Sequence, residues 1–136
     1  MRVSDAEAVA VLSGQLGYKA TAAEVAKRFA AIQERPDNAL FTARSGTEVL
    51  GWLHVYGVRL LETDGYAEIG GVVVSEASRR CGLGRQLVQR AEVWAAAHGY
   101  GELRLRSGFH RKEAHAFYQK VGYALSKTSH MFRKTL

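Results

Sequence analysis

The stretch from residue 67 to residue 98 constrains this chain most. A β-forming run, Ala67-Glu-Ile-Gly-Gly-Val-Val-Val74, feeds a short loop and then a long amphipathic helix. From Gly82 to His98, Leu83, Leu87, Ala91, Trp94 and Ala95 form one apolar stripe, stopped by Gly99. A strand that enters a glycine-rich turn at a helix amino terminus gathers unpaired N–H groups and the positive end of the helix dipole in one small volume. Gly82 and Gly84 let a ligand approach the backbone closely, and Arg79, Arg80 and Arg85 add charge-assisted donors. Glycines at a helix start also serve plain turns, and arginines also coat solvated faces. Strand, loop and helix together favour an anion site. Two nucleotide fingerprints are not met: G-x-G-x-x-G fails because position 87 is Leu, and the P-loop pattern with its Lys-Ser/Thr is absent.

The rest of the chain reads as short elements around this unit. Residues 4–16 space Ala6, Val9, Val11 and Leu12 helically behind Ser4, a plausible N-cap. Thr21-Ala-Ala-Glu24 has capping-box form and opens a second helix over 22–34, with Val25, Phe29 and Ile32 on one stripe and Pro36 forbidding continuation. Ala39–Arg44 and Glu48–Val58 predict antiparallel strands joined through Ser45-Gly46-Thr47. Asp64-Gly65 turns the chain into the run 67–74, where Gly70-Gly71 signals a bulge or a close approach. Leu103 and Leu105 alternate with Arg104 and Arg106 in a strand. Glu113–Val121 makes a short helix before Gly122, and Tyr123–Lys134 predicts a last strand. The expectation is one domain over residues 1–136, of mixed α/β (α+β) class, with an antiparallel first half.

Composition narrows the function classes. No run approaches the ~20 apolar residues that span a bilayer, and no basic-then-apolar leader is seen, so no membrane partner and a cytoplasmic location are expected. Cys81 is the only cysteine, so no internal disulfide can form. The net charge of +6 is divided unevenly: residues 1–78 hold seven Lys/Arg against ten Asp/Glu, and residues 79–136 hold twelve against three. A basic half suits a polyanion, either nucleic acid or a phosphorylated cofactor. No zinc-finger spacing, basic-region heptad or RNP-type strand supports nucleic acid, and no such partner is expected.

Two spacings carry a family likeness. Arg79-x-x-Gly82-x-Gly84 resembles the Arg/Gln-x-x-Gly-x-Gly/Ala signature of the GNAT acetyltransferases, and Ala114-x-x-Phe117-Tyr118-x-x-x-Gly122-Tyr123 resembles that family's downstream pattern. The element order resembles the same fold over nearly the whole chain. The resemblance implies a central mixed sheet flanked by helices, whose first strand is here short or missing. It also implies acetyl-CoA as cosubstrate and direct transfer of the acetyl group to an amine, without a metal.

The likeness also implies roles residue by residue. The pyrophosphate would lie on the backbone of Arg80, Cys81, Gly82, Leu83, Gly84 and Arg85, with Arg79 beside it. The pantetheine arm would pair with the edge of Val72, Val73 and Val74, chiefly through Val72 and Val74. Tyr118 matches the tyrosine that protonates the departing thiolate and touches the cofactor; a phenol with pKa about 10 keeps its proton at neutral pH. The alternative for Tyr118 is a core tyrosine beside Phe117. Glu68, eleven residues before Arg79, stands at the offset of the catalytic glutamate in the histone-acetylating branch. It is the expected base, unless a water takes that role and Glu68 is merely solvated. One departure is Arg111, at a position where the family often carries an asparagine that contacts pantetheine.

Other residues are less telling. His54, His98, His110, His115 and His130 lack H-E-x-x-H spacing, so no metal is expected. Cys81 reads as a spectator, since the family transfers directly. Trp52, His54 and Tyr56 share one strand face and either line an acceptor pocket or pack under the helices. Glu62 and Asp64 either attract a cationic amine or are solvated loop acids. A small-molecule amine is the expected acceptor, because the chain has no extra peptide-docking segment. Lysine or N-terminal amines of proteins stay compatible, as does a non-catalytic acyl-CoA-binding or sensing domain, and a homodimer is compatible with the family.

Overall fold

The computed structural model describes residues 1–108 and 111–136. It forms two compact units, Met1–Leu105 and Arg106–Leu136.

In the first unit, a 3-10 turn over Val3–Asp5 leads into α1 (Ala6–Gly14). The helix start is not capped by Ser4, contrary to expectation. The N-cap position of α1 is Asp5, whose carboxylate closes the turn before the helix by accepting the Arg2 N–H at 2.7 Å. The start of α2 (Ala22–Gln33) follows the sequence closely: Thr21 Oγ1 accepts the Glu24 N–H at 3.2 Å and Glu24 accepts the Thr21 N–H at 2.8 Å. This reciprocal pair satisfies two donors that a helix start leaves open.

Four strands follow in sheet order β1 (Asn38–Ser45), β2 (Glu48–Val58), β3 (Tyr66–Val74) and β4 (Leu103–Leu105). The first two pairings are antiparallel and the third is parallel, so the sheet is mixed. The β1–β2 hairpin turns on Gly46, whose φ of 59° is costly for most other residues. Between β3 and β4 runs α3 (Leu83–Ala97), the crossover that a parallel pair requires.

Alternation along β2 sorts the two faces. Gly51, Leu53 and Val55 face α3: a Cβ on Gly51 would meet Leu87 Cδ1 at 3.3 Å, and Leu53 and Val55 are fully buried. With Ala67, Ile69, Leu87, Val88, Ala91 and Ala95 they make the main core. Burying each of the Leu, Ile and Val side chains among them contributes about 1.5–3 kcal/mol. Trp52 lies on the opposite face and packs against a smaller cluster of Ala6, Val9 and Val25 from α1 and α2. The sheet is thereby covered on both sides.

In the second unit, α4 (Lys112–Lys120) forms one residue earlier than the sequence suggested. The last strand does not form: residues 123–136 carry no regular element, and Leu125, Met131 and Phe132 are exposed. A strand needs a ladder partner for its backbone groups as well as β-forming side chains, and only the second condition is visible in sequence.

Candidate functional site

The β3–β4 ladder is short. Ala67, Glu68 and Ile69 pair with Leu103, Arg104 and Leu105, and pairing stops there, while β3 continues to Val74 beside β2. At the point of parting the β2–β3 register slips: His54 opposes Gly71 and Val55 opposes Ile69, so Gly70 is the extra residue of a β-bulge. The glycine pair is explained by its neighbours. A Cβ on Gly70 would stand 2.9 Å from Tyr56 Cε1, and one on Gly71 would stand 2.8 Å from Trp52 Cη2.

The bulge decides which backbone groups face the gap. The Ser75 N–H points to β2 and donates to Leu50 O at 2.7 Å. By two-residue alternation Val73 also faces β2, and Val72 and Val74 turn their N–H and C=O groups to the opened edge. Among the described residues no strand pairs with that edge beyond Ile69.

The edge leads straight into the arginine and glycine loop. A 3-10 turn over Glu76–Ser78 is followed by Arg80 at φ 68°, the sole non-glycine residue with positive φ among the described ones, and by Gly82 at φ 80° as N-cap of α3. A left-handed arginine costs of order 1 kcal/mol, a strain that tends to concentrate at functional sites. No side chain caps α3, and its first turn holds no acid that would repel an anion. Arg79, Arg80 and Arg85 are exposed around these open N–H groups. The Ser75 hydroxyl, where strand becomes loop, is buried without a hydrogen-bond partner among the described residues. Cys81 is exposed and free, its Sγ 3.8 Å from Arg79 O.

On the Trp52 face a polar cluster adjoins the bulge. Tyr56 donates its phenol proton to Glu68 Oε2. His54 Nε2 lies 2.8 Å from Asn38 Oδ1, and the His54 and Tyr56 rings are 5.2 Å apart. Burial lowers the His54 pKa from its ordinary value. The two readings of this strand face therefore divide: Trp52 packs under α1 and α2, whereas His54 and Tyr56 turn to the bulge and Glu68. The tie between Glu68 and Tyr56 was not anticipated from sequence, although strand pairing, had it been known, places them opposite each other. Glu62 and Asp64 lie in an exposed loop.

The second unit holds Tyr118. Its pKa is raised by burial, against the opposing charge of Arg111, so the phenol keeps its proton more firmly than usual. Phe117 and Tyr123 flank it edge-on, at 5.4 and 6.4 Å between ring centroids. Arg111 is the N-cap residue of α4 but caps nothing with its side chain. His110 lies outside the described residues. Among those described, no group of three His, Cys, Asp or Glu side chains is placed to hold a metal ion, and no helix is long and apolar enough to cross a membrane.

Comparison with known proteins places these features in context. The model of the Acetyltransferase (GNAT) family matches residues 10–123. The uncharacterized N-acetyltransferase YhdJ of Bacillus subtilis is 39% identical over 67 residues, 48% of this chain and 46% of that protein. An IAA acetyltransferase of Azospirillum brasilense is 32% identical over 91 residues, 66% of this chain and 57% of that protein. The chain thus spans about half the length of the curated relatives it matches. Among solved structures, an aminoglycoside N-acetyltransferase, AAC(6')-Iy, in complex with CoA superposes with a TM-score of 0.87 at 17% identity, covering 100% of this chain and 92% of that one.

Proposed function

The chain belongs to the GNAT acetyltransferase family, and from that premise we propose that it moves the acetyl group of acetyl-CoA directly to a primary amine of a small molecule. The observation that carries this reading is the parting of β3 from β4 after Ile69, beside a helix start that is uncapped and ringed by arginines. Acetyl-CoA fits both halves of that arrangement. An extended amide-bearing arm matches the open Val72 and Val74 edge, and a pyrophosphate matches the N–H groups of Arg80, Cys81, Gly82, Leu83, Gly84 and Arg85. Arg79 adds charge. The orphaned Ser75 hydroxyl gains a partner in the same place.

Acetyl-CoA supplies the thioester, and the chain's residues supply the rest. The backbone N–H groups of Val72 and Val74, on the opened edge, serve the carbonyl and the arm behind it, as donors aimed where negative charge develops. Glu68, or a water it holds, accepts the amine proton from its position on the bulge face. Tyr118 gives its proton to the leaving sulfur. Val73, which turns toward β2, supports the edge rather than offering it a hydrogen bond. Cys81 takes no part in direct transfer.

A small amine as acceptor is supported by the aminoglycoside N-acetyltransferase that shares the fold. The test is calorimetric titration with acetyl-CoA, followed by thiol release with kanamycin, spermidine and a lysine-containing peptide. Micromolar binding with turnover on a small amine is the expected result. Binding without turnover on any amine would favour a sensing domain, and turnover on the peptide alone would favour a protein acetyltransferase.

A further inference from the structure

His54 sits in a hydrogen-bonded chain that fixes which of its nitrogens is basic. Asn38 Nδ2 donates to Asp37 Oδ1 at 3.0 Å, so the amide is oriented with Oδ1 toward His54 Nε2, 2.8 Å away. An amide oxygen can only accept; Nε2 therefore carries the ring hydrogen and Nδ1 is left as the acceptor. That acceptor faces the bulge: a Cβ on Gly70 would stand 3.3 Å from Nδ1. Gly70 is exposed and carries no side chain that would cover Nδ1, and the Tyr56 ring borders the same spot. Gly71, opposite His54 in the ladder, precedes Val72 on the parted edge.

We propose that His54 is a second proton acceptor for the attacking amine, its Nδ1 taking the proton directly or through one water at the Gly70 bulge. This rests on the acetyl-transfer reading. The amine proton passes to Nδ1 while the nitrogen lone pair forms the C–N bond at the thioester carbonyl. The C–S bond then breaks, the thiolate takes the Tyr118 proton, and imidazolium and tyrosinate re-equilibrate with solvent. Asp37 orients the ring through Asn38, as a second-layer carboxylate does for many basic histidines. The titratable groups beside it are Asp37 just before β1, Tyr56 on β2 and Glu68 on β3, and Glu68 is engaged by Tyr56. Burial lowers the ring's pKa, which favours the neutral form that can accept.

The experiment compares wild type, His54→Ala and His54→Gln by thiol release with kanamycin and spermidine across pH, alongside acetyl-CoA titration. His54→Ala is expected to lower kcat about tenfold to a hundredfold, flatten the acid limb of the pH profile, leave acetyl-CoA affinity unchanged and recover partly with added imidazole. Unchanged kcat and pH profile would overturn the role, as would a loss that Gln restores and imidazole does not. A wild type that binds acetyl-CoA but acetylates neither amine would remove the transfer reading itself, and the role of His54 with it. Should His54→Ala fail to fold, nitrogen NMR of the wild-type ring decides: a bare Nδ1 at neutral pH is expected, and a protonated Nδ1 overturns the proposal.

Discussion

Asp5 and Arg44 form an ion pair at 2.5 Å that ties the turn before α1 to β1, with the Asp5 side chain almost wholly buried. Burial opposes ionisation of Asp5, but the Arg2 N–H and the Arg44 guanidinium outweigh it and hold the pKa below its usual value. A carboxylate depressed in the folded state stabilises it fully above the unfolded pKa, near 3.9, and that contribution fades as pH falls through the lower folded value. Asp5→Asn is expected to destabilise the first unit by about 3 kcal/mol, since it leaves Arg44 half-buried without its counter-ion. The same substitution should flatten the stability curve below pH 4. Urea unfolding at pH 7 and pH 3 checks both; an unchanged midpoint at pH 7 would count against the pair.

Gly71 and Trp52 set a limit on the bulge. The ring atoms Cη2 and Cζ3 would lie 2.8 and 3.1 Å from a Cβ on residue 71, and the indole is wedged against the α1 and α2 cluster, so it has little room to move. Gly71→Ala should cost about 1–3 kcal/mol by overpacking. Adding Trp52→Phe removes the clashing atoms together with a buried indole N–H that has no partner among the described residues. The double variant should therefore regain part of the loss, which a double-mutant cycle of urea midpoints would reveal as coupling.

Much of this was legible in the sequence where the information is local. The Thr21 and Glu24 capping box, the turn at Gly46, the irregularity at Gly70 and the long α3 stripe each depend on residues a few positions apart. What escaped depends on distant neighbours. Asp5 rather than Ser4 precedes α1, and its carboxylate meets Arg44, 39 residues away. The strand expected over 123–134 has no ladder among the described residues, and sequence pattern cannot report a missing partner. The surroundings of His54 were hidden because its ring meets Asn38 on β1, which is held in turn by Asp37 just before that strand. The roles proposed for Glu68, Tyr118 and the loop rest on motif spacing, which says nothing of a contact such as that between Tyr56 and Glu68.

Gly84→Glu tests the loop. Residue 84 lies in the first turn of α3, next to the open N–H groups and near Arg80 and Arg85. A carboxylate there suits the helix dipole and should leave the fold intact, but it would occupy the anion site with like charge. Acetyl-CoA binding is expected to drop by at least about a hundredfold, of order 3 kcal/mol. Calorimetry reads this directly, and retained affinity in a folded variant would remove the loop assignment.

Tyr118→Phe tests the proton donor. The substitution keeps the ring and its edge-on contacts with Phe117 and Tyr123 while deleting the hydroxyl. Acetyl-CoA affinity should therefore hardly change, and kcat should fall by about tenfold or more once water must protonate the thiolate. Because burial raises the phenol pKa, loss of the donor by ionisation should appear in the wild type only above its ordinary value, near pH 10. A wild-type kcat in Tyr118→Phe would leave Tyr118 as a packing residue. A fall in kcat with KM for acetyl-CoA unchanged, and without the alkaline limb, would assign the departing proton to its hydroxyl.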